Sequence, residues 1–236
     1  MELLVDPGFA PGRKLSEEES AHCVKVLRHR EGDVVNVADG NGHRYECRIA
    51  VASPRGCSLE VQNTITATPP RCHLRMAVAP TKNIDRFEWF VEKAVEIGVS
   101  RITPLLCDHS ERDRVRTDRL QKIIVAAAKQ SLKCFLPTVD ELTSLADVIS
   151  GDHSPQRYIL HCGEAPRPHL FAQARPAVDT LILIGPEGDF SAKEIQAAAA
   201  AGFQECTLGP ERLRTETAAL VATNVIALRN QLNDIR

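Results

Sequence analysis

The sequence predicts an α/β protein in two parts, a small β-barrel followed by a parallel sheet covered by helices. Three observations predict it. Short strands with tight turns fill the first stretch, the run "TATPP" at 66–70 interrupts, and strands then alternate with helices to the end. The implied boundaries are 1–68 for the first domain and 71–236 for the second. A chain of 236 residues is long enough for two modest cores.

In the first part, 33–40, 43–52 and 57–65 are rich in β-branched residues, with Gly40-Asn41-Gly42 and Pro54-Arg55-Gly56 as turns between them. One helix interrupts: Ser16 and Glu19 read as a capping box, and the helix runs to about Arg28. In the second part, 73–80 is a strand and 85–98 a helix, with Asp85 as its N-cap and Gly98 ending it. Phe87, Phe90, Val91, Ala94 and Val95 form its apolar stripe. Then come a strand at 101–106 and a helix at 119–132 with Leu120, Ile123, Ile124, Ala127 and Ala128 on one face. Strands at 157–162 and 179–185 follow, then a helix from Ser191 to Ala201 with a second box, Ser191 and Glu194. The last elements are a strand at 205–209 and a helix from Thr215 to about Leu232. The short runs "YIL" and "LILI" fit strands buried on both faces.

Bulk numbers exclude some classes. Hydrophobic content is 43% and charged content 25%, ordinary for a soluble globular protein. No apolar run approaches the roughly 18 residues of a membrane span, and the N-terminus lacks a basic start followed by an apolar stretch, so no signal peptide is expected. The eight cysteines form no C-x-x-C pair, so no metal is expected and a reducing, cytoplasmic location is. Net charge is −2, but it is uneven: −2 over 1–70, +5 over 71–135 and −5 over 136–236. The densest basic cluster is "SERDRVRTDR" at 110–119, where Arg112, Arg114, Arg116 and Arg119 alternate with acids. It reads either as a solvated loop laced with ion pairs or as a phosphate-binding patch.

Two loops carry the chemistry. "LILIGPEGDFS" at 181–191 and "TLGPERLRTETAAL" at 207–220 each end a strand in Gly-Pro-Glu and begin a helix. Ligands settle outside the carboxyl ends of strands in open α/β sheets, and both loops lie there, on strands expected to be neighbours. Gly185 and Gly188 remove side chains where a ligand would approach the backbone, and Pro186 stiffens the bend. Neither a dinucleotide fingerprint nor a Walker loop is present. Glu187 and Asp189 would repel a triphosphate and tolerate a cation or a sugar hydroxyl. A ligand with an adenine, a ribose and a positive centre suits such a loop, and S-adenosylmethionine fits that description.

Together the motifs resemble the SPOUT methyltransferases, and most closely the RsmE family, the bacterial 16S ribosomal RNA uracil-N3-methyltransferases. "LIGPEGDFSAKEI" and "LGPERLRTETA" resemble that family's two cofactor signatures. "HCVKVLR" at 22–28, "KNIDRFEWFVEKAVEIGV" at 82–99, "SERD" at 110–113 and "AAKQS" at 127–131 agree with further segments in the expected order. The resemblance implies a PUA-like β-barrel, a methyltransferase domain with a trefoil knot, and a homodimer. "AALVATNVIALRNQL" at 218–232, small or apolar around much of its circumference, suits a helix between its own sheet and a second subunit. It also implies that S-adenosylmethionine rests on the backbone of Leu183, Ile184, Gly185, Pro186, Glu187 and Gly188 and of Leu208, Gly209, Pro210, Leu213, Arg214 and Thr217, with His161 lining the cavity.

Uracil N3 carries a proton at neutral pH, so the site needs a base and a stabiliser of the anion. Arg112, acting from the opposite subunit, and Arg214 are the candidates to face the ring oxygens, and Glu187 or Glu216 the candidates to take the proton. The target base is expected to leave its stack to reach the pocket. His22, Lys25 and Arg28 in the barrel, and Lys82, Arg86, Arg112, Arg114 and Arg116 in the second domain, would contact 16S rRNA phosphates in the small ribosomal subunit. The chain departs from the family at Gly188-Asp189, where the family has Gly-Gly, at Asp113 in place of serine, at Ile97 in place of leucine, and in having no arginine before Arg13. A methyltransferase acting on a transfer RNA base or ribose, and a non-catalytic RNA-binding or assembly protein, are the competing readings.

Overall fold

The computed structural model describes residues 2–163 and 165–234, the last two by backbone alone. Its elements fall into two compact units: residues 1–69 with 125–136, and residues 70–124 with 137–236.

The first unit is built on a four-stranded sheet, β1 (Leu3–Val5), β2 (Val34–Ala38), β3 (His43–Val51) and β4 (Ser58–Thr66), in that order, with only the β1–β2 pair parallel. Alternation along β3 turns Tyr45, Cys47 and Ile49 inward, where they meet Leu4, Val37 and Cys57. Phe9 packs edge-on against Tyr45, ring centres 5.3 Å apart. The expected helix at 16–28 is shorter and changes pitch: α1 (Glu17–Ala21) passes into a π-helical turn at His22–Val26, closed by the Leu27 N–H on the His22 carbonyl at 3.0 Å. Ser16 caps it by accepting from the Glu19 N–H, but the reciprocal half of the box is missing. The buried Glu19 carboxylate instead accepts from Lys129 Nζ, and burial, only partly opposed by that ammonium, pushes its pKa up. Residues 134–136 complete the unit. Gly42 donates to the Cys134 carbonyl at 3.0 Å, and Leu136 donates to the Gly40 carbonyl at 2.9 Å. Gly42 must be glycine: its φ is +101°, and a Cβ there would lie 2.4 Å from the Phe135 ring.

The second unit is a parallel sheet. Its strands are β5 (Leu74–Val78), β6 (Arg101–Leu106), β7 (Thr138–Val139), β9 (Gln156–Leu160), β10 (Thr180–Ile184) and β11 (Gln204–Cys206), in the order β11-β9-β10-β5-β6-β7. The two-residue β8 (Thr143–Ser144) pairs with β6. All five residues of β10 are buried, as a central strand covered on both faces requires. The helices are α2 (Ile84–Ile97), α3 (Thr117–Gln130, counted here up to Ile124), α4 (Leu145–Gly151), α5 (Leu170–Gln173), α6 (Ala192–Ala200) and α7 (Thr215–Asp234). The expected apolar stripe of α2 is buried at all five positions, and Gly98 ends the helix with φ +116°. Its N-cap is Asn83, which accepts from the Asp85 N–H; the expectation of Asp85 is corrected by two residues. At α6 the capping box of Ser191 and Glu194 forms in full. A charged network ties strands to loops: Arg75 donates to Thr103, Asp152 and Asp140, and Arg101 and Thr103 also donate to Asp140. On α7, Ala219, Ala222, Val225 and Ile226 are buried, while Leu228 and Leu232 stand 41% and 47% exposed. Among the described residues no helix is long and apolar enough to cross a membrane.

Candidate active site

The two Gly-Pro-Glu loops do not follow neighbouring strands. β9 lies between β10 and β11, so the expectation of adjacency is corrected and the end of β9 is placed between the loops. They are nonetheless joined. Thr215, the first residue of α7 and 7% exposed, donates from Oγ1 to the Gly185 carbonyl at 3.1 Å. The second loop is internally braced: Thr207 Oγ1 accepts from the Gly209 N–H at 3.2 Å and donates to the Gly209 carbonyl at 3.0 Å. Gly209 has φ +128°, a conformation reserved for glycine.

Between these loops and the end of β9 lies a cleft of two lobes. The larger, about 750 Å³, is lined by His161, Leu208, Gly209, Pro210, Leu213 and Arg167 among others. The smaller, about 400 Å³, is lined by Ile184, Gly185, Pro186, Glu187, Arg214 and Glu216 among others, and also by Arg86 and Asp189. Leu160, His161, Cys162, Arg212, Leu213 and Ala218 line both. The dimensions are those of a small-molecule site. Three expected cofactor residues line neither lobe. Leu183 is buried in the sheet in register with Ala77 and Ile159, Thr217 is half-buried in the first turn of α7, and Gly188 faces His109. The glycines of the first loop also leave room for neighbouring side chains. A Cβ on Gly185 would lie 3.1 Å from the Phe190 ring, and one on Gly188 would lie 3.0 Å from His109 Cβ. Gly185 nevertheless lines the smaller lobe.

His161 is held from both sides. Its Nδ1 accepts from the Gly163 N–H at 3.2 Å, so Nε2 carries the proton and donates to Glu205 at 2.8 Å. Arg167 places Nη1 3.0 Å from the same Nδ1 and donates from Nη2 to the Gly163 carbonyl. Its buried Nε has no partner among the described residues. Asp189 has φ +62°, and its Oδ2 accepts from the Cys162 N–H at 2.8 Å. Glu187 accepts from the Lys82 N–H at 2.9 Å, and Glu216, its side chain 10% exposed, faces Arg86 Nε at 3.9 Å. Arg214 makes no side-chain hydrogen bond or ion pair among the described residues. Thr215, His109, Arg167, Glu205 and Cys162 carried no sequence signal of their own. Each acts through a contact between segments distant in the chain.

Arg112 lies elsewhere within the unit. Its guanidinium donates to the carbonyls of Thr81, at 3.2 Å, and Lys82, at 2.8 Å. With Arg114, Arg116, Ile84 and Leu142 it lines a separate recess of about 590 Å³. Lys82 pairs with Glu111 at 2.8 Å and Arg116 with Asp118 at 2.7 Å, whereas Arg114 is exposed and unpaired among the described residues. The cluster is thus partly the ion-paired loop and partly a source of free cation. In the first unit, His22 and Lys25 lie in the π-helical turn, and Arg28 ends it with φ +61°; Lys25 and Arg28 are exposed. No group of three metal-ligating side chains occurs among the described residues.

Comparison with known proteins agrees with this architecture. Residues 68–227 match the family model of an RNA methyltransferase domain, and residues 15–62 match that of an RNA methyltransferase PUA domain. A crystal structure of a probable rRNA-methyltransferase from Porphyromonas gingivalis is 36% identical, with a TM-score of 0.92 over 99% of this chain and 100% of that one. The ribosomal RNA small subunit methyltransferase E of Bacillus subtilis is 25% identical over 94% of this chain and 92% of its own. The Neisseria gonorrhoeae protein of that name, solved with S-adenosyl methionine, shares the fold with a TM-score of 0.86 at 24% identity, over 98% of both chains.

Proposed function

This chain belongs to the RNA methyltransferase family, and from that premise we propose that it uses S-adenosylmethionine to methylate N3 of a uridine in 16S rRNA of the small ribosomal subunit. The observation that carries the proposal is the Thr215–Gly185 hydrogen bond, which joins two strand-end loops into one cleft of suitable size. The residues present fit the cofactor. Leu208, Pro210 and Leu213 offer apolar surface to an adenine face, loop backbone can meet its edge, and Gly209 leaves open space beside it. The carboxylates of Glu187 and Glu216 suit a positive centre. Leu208, Gly209, Pro210 and Leu213 would hold the nucleoside, and Gly185 to Glu187 the remainder.

When bound, the cofactor supplies an electrophilic methyl on a sulfonium. The chain itself must orient the uracil and manage one proton. Glu216 and Glu187, two of the three carboxylates of the smaller lobe, are the candidates to accept the N3 proton. Arg214, unpaired among the described residues, is the candidate to stabilise charge on the ring oxygens. Holding donor and acceptor in line supplies much of the remaining acceleration. Lys25 and Arg28 in the first unit, and Arg114 in the second, offer exposed cations to phosphates.

A homodimer, with Arg112 acting in the partner's site, completes the proposal. It is supported by the exposed Leu228 and Leu232 on α7. Family membership supports a trefoil knot and a cytoplasmic location in the same way. The test is to map modified uridines in small-subunit RNA from cells with and without the gene. One N3-methyluridine should vanish with the gene, and an unchanged map would refute the assignment.

A further inference from the structure

Asp189 stands where two loops meet, in a conformation that few side chains adopt. We propose that Asp189 is a positioning residue, holding the loop after β9 against the loop after β10, and that its carboxylate acts on protein backbone and not on the cofactor's sulfonium. This rests on the reading of the cleft as an S-adenosylmethionine site.

Both carboxylate oxygens are engaged. Oδ2 accepts from the Cys162 N–H at 2.8 Å, across a gap of 27 residues, and Oδ1 accepts from the adjacent Phe190 N–H at 2.8 Å. The backbone of the same residue is gripped from the opposite side. His109 donates from Nδ1 to the carbonyls of Gly188 and Asp189, at 3.1 and 3.0 Å. Asp189 is thus a strut between the segment after β6 and the segment after β9. What it fixes matters to the cleft, because Cys162 lines both lobes and the neighbouring His161 is already anchored by Glu205. Without the carboxylate the Cys162 N–H loses its 2.8 Å acceptor, and the segment after β9 is left to the contacts of His161 with Glu205 and of Arg167 with Gly163. Since φ is +62°, a glycine would take this backbone with ease and still leave the two loops unlinked. The side chain is therefore what joins them.

The competing role is electrostatic. Asp189 lines the smaller lobe, so its charge could attract the sulfonium directly. S-adenosylmethionine and S-adenosylhomocysteine separate the roles, because they differ by one methyl and one positive charge. Both would be titrated calorimetrically into the full chain and its D189G and D189N variants, with amide hydrogen exchange followed at residues 161–163. Glycine removes the strut without backbone strain, and asparagine keeps an acceptor for Cys162 without the charge. A positioning role predicts that D189G binds both nucleosides at least about tenfold more weakly, with their affinity ratio unchanged and exchange at Cys162 faster. D189N keeps one acceptor, for Cys162, and turns its amide NH2 toward the Phe190 N–H, so it should weaken both nucleosides equally and by less than D189G does. The proposal is overturned if D189N and D189G both lose S-adenosylmethionine selectively. It is equally overturned if D189G matches the parent in affinity and exchange. If the parent binds neither nucleoside, the cofactor reading fails, and the exchange rates still decide whether Asp189 holds Cys162.

Discussion

Thr215 Oγ1 donates to the Gly185 carbonyl across 3.1 Å and 30 residues of sequence, so the last helix starts from the bend that follows β10. Thr215→Val keeps the shape and leaves that carbonyl without its donor, at a cost of about 1–3 kcal/mol. Calorimetry should show S-adenosylmethionine binding weakened roughly tenfold, alongside a lower melting temperature. Full affinity in the variant would mean that the two loops need no such tie.

Cys162 is the exposed cysteine in the cleft, whereas Cys23, Cys47, Cys57, Cys107 and Cys206 are buried. Burial pushes the Cys23 thiol up to about 12 and those of Cys47 and Cys206 to about 11, so these three are neither accessible nor ionised at neutral pH. Thiol labelling of the native protein followed by peptide mass analysis should find Cys162 modified first, with saturating S-adenosylmethionine slowing it. Labelling indifferent to the ligand would count against Cys162 as a wall of the site.

Arg112 holds the Thr81 and Lys82 carbonyls and lines neither lobe, while the Lys82 N–H is taken by Glu187. Arg112→Ala should therefore leave cofactor affinity within about threefold while turnover on RNA falls by two or more orders of magnitude, on the order expected for a lost charge stabiliser. Isothermal titration together with methyl incorporation into small-subunit RNA checks both halves. Loss of cofactor binding would make Arg112 a support of the Glu187 loop and nothing more.

Asp140 gives a pH dependence with a definite sign. Burial alone would raise its pKa, but hydrogen bonds from Arg101 and Thr103 and the charge of Arg75 outweigh it and hold it below the ordinary 3.8. Asp152 is held down in the same way, by Ser154 and Arg75. A carboxylate depressed by folding contributes stability that is full above its unfolded pKa and is lost as pH falls through the folded one. The protein should lose stability on acidification below about pH 4. Asp140→Asn should cost about 2 kcal/mol at neutral pH and flatten that acid limb. Urea melts at pH 7 and pH 4 measure both effects; a variant with the parent's pH slope would remove Asp140 from the account.

Much of the fold was legible because local rules agreed with one another. The five-residue stripe of α2, the Ser191–Glu194 box and the apolar run Leu181–Ile184 of β10 each carry their own signal. β1 did not, since Leu3–Val5 is three residues long and pairs in parallel with a strand some thirty residues away. The Asn83 cap was hidden because Asp85 offers an equally good local pattern. Strand order was not legible either, because local sequence does not say that β9 inserts between β10 and β11. The sequence placed the candidate site by its glycines; Gly185 lines the cleft, while Phe190 and His109 also occupy room that Gly185 and Gly188 leave. The polar braces at Thr215, Asp189 and His161 depend on pairings between distant segments, which periodicity does not encode.

The segment 125–136, counted with the first 69 residues, makes the amino-terminal unit discontinuous. Severing the chain after Pro69 would release a fragment lacking the Phe135 ring beside Gly42 and the Lys129 ammonium that neutralises Glu19. Such a fragment should be difficult to prepare as a folded protein, and exchanging only the first 70 codons between related genes would leave the transplanted part without its complement. Recombination that preserves folding has to carry both stretches together.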